Sequence, residues 1–182
     1  QAIDLGCTGP TLRGSGVRYD VRKAMPYTGY ETYDFDVPVG RSGDVYDRYL
    51  CRIEEMKQSL QIIRQGLDRL KPGPVRASNQ YLFPADRTDV KRGMEEMIYH
   101  FKIMSEGFRV NPGDAYFSIE SPKGELGFYV VADGGPKPYR VRVRPPSFIH
   151  LQALEPMCVG RMVADVVACI GTIDVVLGEV DR

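Results

Sequence analysis

The sequence predicts an α+β fold that is mainly helical. Three observations carry this: apolar residues at helical spacing over 42–71, residues alternating with a period of two over 114–144, and an apolar-rich stretch leading to the C-terminus. With 182 residues, 43% hydrophobic and 26% charged, the chain suits one sizeable domain or part of a larger one.

Residues 1–40 are rich in Gly, Pro, Tyr and Asp and hold no sustained period. TGPTLRGSG and AMPYTGYETYDFDVPVG read as an irregular, turn-rich segment that needs other structure to pack on. Beyond it Val45, Tyr49, Ile53, Met56, Leu60, Ile63, Leu67 and Leu70 recur at steps of three or four. That stripe predicts one long helix over 42–71, with Ser42 or Asp44 at its N-cap and PGP at 72–74 as its stop. The stripe itself reads as ordinary bundle core. A polar loop over 72–87 leads into a shorter helix over 89–106, with Met94, Met97, Ile98, Phe101 and Met104 inward. His100 in that helix reads as a satisfied or exposed histidine.

AYFSIE, SPKGELG, FYVVADGG and PYRVRVR then predict a three-strand antiparallel meander over 114–144, turning at Pro122-Lys123-Gly124 and at Gly134-Gly135. Arg140, Arg142 and Arg144 share one face of the last strand. A solvated face, or one meeting an acidic neighbour, is the plainer reading there than an anion-binding stripe. Residues 148–154 read as a short helical turn and 160–173 as a buried helix. DVVLGEVDR, 174–182, follows with no polar spacer, which predicts an ordered, tucked-in end.

Formal net charge is zero and the pI about 6.9, so no global field points to nucleic acid or an anionic membrane. No run approaches the roughly 18 apolar residues of a membrane span. No targeting segment is visible, although one can have been removed. Cys7, Cys51, Cys158 and Cys169 form no CxxC pair and read as buried free thiols; a metal site made by this chain alone is not expected. GxGxxG, GxxxxGK[ST] and HExxH are absent, as is an obvious Ser/His/Asp set. What stands out is ESPKGELG, 120–127, where a tight turn presents Lys123.

LRGSGVRYDVRK, FDVPVGRSGDVYDRYLCRIEEM, ESPKGELGFYVVADGG, PYRVRVRPPSF and ADVVACIGTIDVVLGEVDR together resemble the C-terminal half of the quinone-site subunit of respiratory complex I, most of all its mitochondrial and alphaproteobacterial branch. The resemblance implies a hydrogenase large-subunit-like fold. Laid on the metal-binding terminus of nickel–iron hydrogenases from Asp174, the two cysteine positions fall on Val176 and Glu179 and the histidine on Arg182. No metal site is therefore implied, and the vacated cavity becomes the place of the quinone headgroup. Lys123 corresponds to the hydrogenase active-site arginine. Lys123, Asp174, Val176, Glu179 and Arg182 are thereby implied to line or back a quinone pocket, with an ion-pair network as the plainer alternative for the charged ones.

The resemblance further implies ubiquinone as substrate, an iron–sulfur cluster held by the neighbouring B subunit, and the C and H subunits as further partners. Electron transfer from NADH to ubiquinone would be coupled to proton translocation, in the peripheral arm on the matrix side of the mitochondrial inner membrane or the cytoplasmic side of a bacterial one. The family's quinone-contacting tyrosine and histidine lie in its N-terminal half, which matches no stretch here, so a split or fragmentary subunit is expected. A non-catalytic structural piece, a hydrogenase-type large subunit and a related plastid-type or archaeal complex are the alternatives.

Overall fold

A computed structural model describes residues 1–76, 79, 83 and 85–181 of the chain. It is a mixed helix-and-sheet fold in two units: Gln1–Leu70 with Tyr116–Phe128 and the residues from Val143 on, and Lys71–Ala115 with Tyr129–Arg142. The three strands, β1 Gly113–Ser121, β2 Gly124–Ala132 and β3 Arg140–Arg144, pair in the order β1-β2-β3, with the Lys123 end of the sheet in the first unit.

The first unit is organised by a segment expected to be irregular. Helix α1, Gly9–Gly14, has all of its residues buried. Pro10 sits in its first turn, where its fixed φ suits a helix and its missing N–H costs nothing. A helix this short leaves no periodicity to read. Leu12 joins Cys7 and Ala153 in the core cluster. Helix α2, Val21–Ala24, is capped by the Asp20 side chain, which accepts the Arg22 backbone N–H; one 3₁₀ turn follows at Tyr30–Thr32.

Helix α3 runs Val45–Arg69 from an Asp44 N-cap that accepts the Asp47 N–H. Its face differs from the expected one. Arg48 and Cys51 are its buried residues, while Met56, Leu60, Ile63 and Leu67 are 56%, 56%, 55% and 65% exposed. The two faces lie about 120° apart round the helix. The apolar stripe is thus no core seam among the described residues.

Two helices, α4, Arg87–Arg92, and α5, Met94–Ser105, belong to the second unit. The first unit continues through α6, Pro146–His150, a 3₁₀ turn at Leu151–Ala153, α7, Leu154–Cys158, and α8, Val163–Ile173. Helix α8 begins with the Asp165 side chain accepting the Met162 N–H. The expectation of a buried helix is corrected here: Cys169 and Ile173 are buried, but Val163, Val167 and Ile170 are exposed. Its sequence is apolar nearly all round, and only one side is covered. Cys7 and Cys51 are buried as well, whereas Cys158 is half-buried. The tail forms α9, Leu177–Asp181.

In the second unit, α4 and α5 replace the single helix expected over 89–106. Gly93, at φ −100° and ψ 130°, leaves the helical region and caps the second. Met94, Met97, Ile98, Phe101 and Met104, expected inward, are all exposed. The expected loop over 72–87 lies partly outside the described residues. Within this unit Asp133 accepts the Gly135 N–H at the second turn, and Tyr129 donates to Asp114. Among the described residues no helix is long and apolar enough to cross a membrane.

Candidate functional site

The position of Lys123 is set by backbone packing. Gly9, at φ +62°, and Gly124, at φ +143°, lie against each other: a Cβ on Gly9 would stand 2.5 Å from Gly124 Cα and 2.6 Å from Lys123 O. Thr8 Oγ1 accepts the Glu125 N–H at 3.0 Å, and Ser121 Oγ accepts that of Lys123 at 3.2 Å. The start of α1 therefore clamps the hairpin turn that carries the lysine.

From that turn Lys123 Nζ donates to Asp174 Oδ2. Asp174 is the C-cap of α8 and adopts the left-handed conformation, φ 59° and ψ 53°, which short polar side chains tolerate better than most. Arg52 Nε approaches the same oxygen at 3.7 Å, too long for a hydrogen bond. Asp174, Arg52, Ser121 and Pro122 line a cleft of about 700 Å³, whose apolar wall is Met56, Leu60 and Ile63 of α3. Its inner edge is a buried charge network.

Arg13, 1% exposed, is the hub of that network. Its Nε donates to Glu55 at 2.6 Å, and its Nη1 donates to Glu120 at 2.8 Å and to the Tyr19 carbonyl at 2.9 Å. Asp20 lies 3.6 Å from Nη1 and takes two side-chain hydrogen bonds from Arg22. Burial opposes ionisation of Asp20, but the Arg22 hydrogen bonds and charge hold its carboxyl below the usual range. Burial pushes the Glu120 carboxyl up, against the pull of Arg13. The Arg13 guanidinium, desolvated yet flanked by Glu120 and Glu55, is held more firmly charged than usual.

The remaining expected site residues lie elsewhere or in other pairings. Glu179 does not meet Lys123; its Oε2 accepts from Ser147 Oγ at 2.5 Å and from the Ser147 N–H at 3.3 Å. Val176 is partly exposed, and its N–H donates to the same Ser147 Oγ at 3.4 Å. Ser147 thus ties both tail residues to the start of α6. Arg182 lies outside the described residues. Of the three strand arginines, Arg144 is committed to structure, donating to the carbonyls of Glu125 and Gly6. No group of three His, Cys, Asp or Glu side chains converges as a metal site among the described residues.

Sequence reasoning missed Arg13, Glu55, Glu120 and Arg52. Arg48, Arg52 and Glu55 recur at helical spacing beside the apolar stripe, and such a face reads as solvated unless the partner segment is known. It missed His150 too, which is wholly buried and accepts the Thr8 N–H through Nε2 at 3.1 Å, so its proton sits on Nδ1. Burial, aided by the charges of Arg144 and Arg52, lowers its pKa to about 4. Because this lies below the unfolded value near 6.5, the unfolded chain binds the proton first as pH falls. Stability is therefore full above pH 6.5 and declines by up to about 3 kcal/mol between 6.5 and 4. Thermal unfolding across that window should show the decline in the native protein and a much flatter profile in His150→Gln, whose amide oxygen can still accept from Thr8.

Against known proteins, the chain falls among oxidoreductase subunits of the respiratory chain. All of it, residues 1–182, matches the family described as respiratory-chain NADH dehydrogenase, 49 Kd subunit, and the chain belongs to that family. It is 58% identical over 182 residues to the NADH-quinone oxidoreductase D subunit of Geobacter sulfurreducens, covering 100% of this chain and 47% of that protein. The D 2 subunit of the same enzyme from Chloroflexus aurantiacus is 59% identical over 185 residues, with 100% of this chain and 45% of that protein covered. For the D subunit of a Polaromonas species the identity is 55% over 184 residues, with coverage of 100% and 44%. The chain thus spans a little under half the length of these bacterial relatives.

Proposed function

We propose that the chain forms part of the pocket in which complex I reduces quinone with electrons from NADH. The observation that carries this is Asp174, held by Lys123 from the adjoining turn, lining a cleft with an apolar wall: a ring can lie on Met56, Leu60 and Ile63 while charged groups address its oxygens. Ubiquinone is the substrate in this reading. The electrons arrive from an iron–sulfur cluster held by the neighbouring B subunit, and their transfer is coupled to proton translocation. The C and H subunits complete the surroundings, in the peripheral arm beside the bacterial cytoplasmic or mitochondrial inner membrane. The family's descent alongside hydrogenase large subunits accounts for a terminus in which Val176 and Glu179 occupy former ligand positions. The quinone's carbonyl-contacting residues are supplied by the family's N-terminal half, from this polypeptide or another. That half also covers the end of the α3 stripe beyond the cleft wall, in keeping with relatives roughly twice as long and with Leu67 65% exposed.

The test uses the assembled complex. Lys123→Met is expected to lower quinone reduction about tenfold to a hundredfold, as loss of a charged group facing a reduced oxygen does. Val176→Met is expected to change sensitivity to quinone-site inhibitors. NADH oxidation by an artificial acceptor that bypasses the quinone should be unchanged in both. If quinone reduction and inhibitor sensitivity also stay unchanged, the pair is a structural tie and the chain a non-catalytic part of the complex.

A further inference from the structure

Arg52 is placed where a guanidinium should not be left. Its Nε and Nη2 are fully buried and have no hydrogen-bond partner, and only Nη1 is used, donating to the Arg48 carbonyl at 3.3 Å. Arg48, one turn earlier and 2% exposed, adds a second positive charge. It donates to Thr172 Oγ1 and to the Gly43 carbonyl, so it too lacks a carboxylate within its hydrogen bonds. Burial lowers the Arg52 pKa; Asp174 and Glu55 oppose that and Arg48 reinforces it. Buried charged donors without acceptors are among the costlier defects a fold can carry.

The acceptor nearest to hand is Asp174. Its Oδ2 is bound to Lys123 and stands 3.7 Å from Arg52 Nε. A hydrogen bond needs about 2.9 Å, so the carboxylate has to travel less than about 1 Å to exchange one cation for the other. The buried atoms of Arg52 are closed to a ligand but not to this carboxylate, which is already alongside.

We propose that Arg52 is a positioning residue offering a second seat to the Asp174 carboxylate, and that filling this seat frees the Lys123 ammonium to face the cleft. With Asp174 on Lys123, the two charges cancel at the cleft edge. With Asp174 on Arg52, the buried donors are satisfied and Lys123 can donate to an anionic oxygen there. The carboxylate is thus a two-position element biased by what occupies the cleft. This rests on the cleft being the quinone site.

The experiment is a double-mutant cycle in the assembled complex, with a short-chain ubiquinone as probe and artificial-acceptor activity as the control for assembly. Arg52→Met leaves Asp174 with Lys123 alone and is expected to lower kcat about tenfold, with KM changed by less than about twofold. Placed on an Asp174→Asn background, it should have no further effect, because Arg52 acts through that carboxylate. Equal losses in both backgrounds, or no loss in either, overturn the proposal. If Lys123→Met still lowers quinone reduction, the cleft reading survives that outcome; if Lys123→Met is also silent, the cleft reading fails with it. Should Arg52→Met not assemble, Arg52→Lys, which keeps the charge without an Nε–H, serves in the same cycle. Failure of both to assemble marks Arg52 as structural only and overturns the proposal.

Discussion

Arg13→Met is expected to destabilise the chain by about 3–5 kcal/mol, enough to deplete it from the assembled complex. The substitution keeps most of the volume and removes the charge. Glu55 and Glu120 then lose their hydrogen bonds of 2.6 and 2.8 Å, and the Tyr19 carbonyl loses its donor. Asp20 keeps Arg22 and suffers less. Arg13→Lys preserves the charge but not the fork that reaches three acceptors, so it should fall between. Quantifying the chain in purified complex, together with thermal inactivation of quinone reduction, checks the order: native above Arg13→Lys above Arg13→Met. Comparable stability of native and Arg13→Met would mean that the network is not needed for the fold.

The second large effect is expected from a single methyl group. Gly9→Ala brings a Cβ to 2.5 Å from Gly124 Cα and 2.6 Å from Lys123 O, both backbone atoms, at a φ of +62°. The left-handed conformation costs about 1 kcal/mol for alanine, and the overlap adds about 1–3 kcal/mol unless the hairpin moves. Moving the hairpin is the cheaper relief, because Lys123 lies at its turn. The variant should therefore assemble in part yet reduce quinone poorly, with artificial-acceptor activity falling only in proportion to assembly. Specific quinone reduction equal to the native value per assembled complex would separate the turn from the chemistry.

How much of this was readable beforehand varies with what each feature depends on. Helix α3 and the sheet were legible because they are long and periodic, and periodicity is local. Which face of α3 is buried was not, since apolar content points to Met56, Leu60 and Ile63 whereas the covered face carries Arg48 and Cys51. That choice is made by α1, six residues of GPTLRG too short to show a period. Gly93 ends α4 by a backbone conformation that a lone glycine in a helical pattern does not announce. At the site, Lys123 was legible as the residue of a tight turn, and Asp174 through the family resemblance. Their pairing spans 51 positions in the chain and belongs to tertiary structure alone. The Arg13 network was invisible for the same reason: its members come from α1, α2 and its N-cap, α3 and β1.

The outward stripe of α3 bears on the life of the chain before it is assembled. A strip of side chains running along a helix of 25 residues, about 37 Å, is the kind of surface on which chaperones act and copies of one chain coalesce. The chain's solubility on its own becomes a matter of concentration and time. In the proposed assembly, synthesis in step with the covering polypeptide then protects this fold as much as any contact within it.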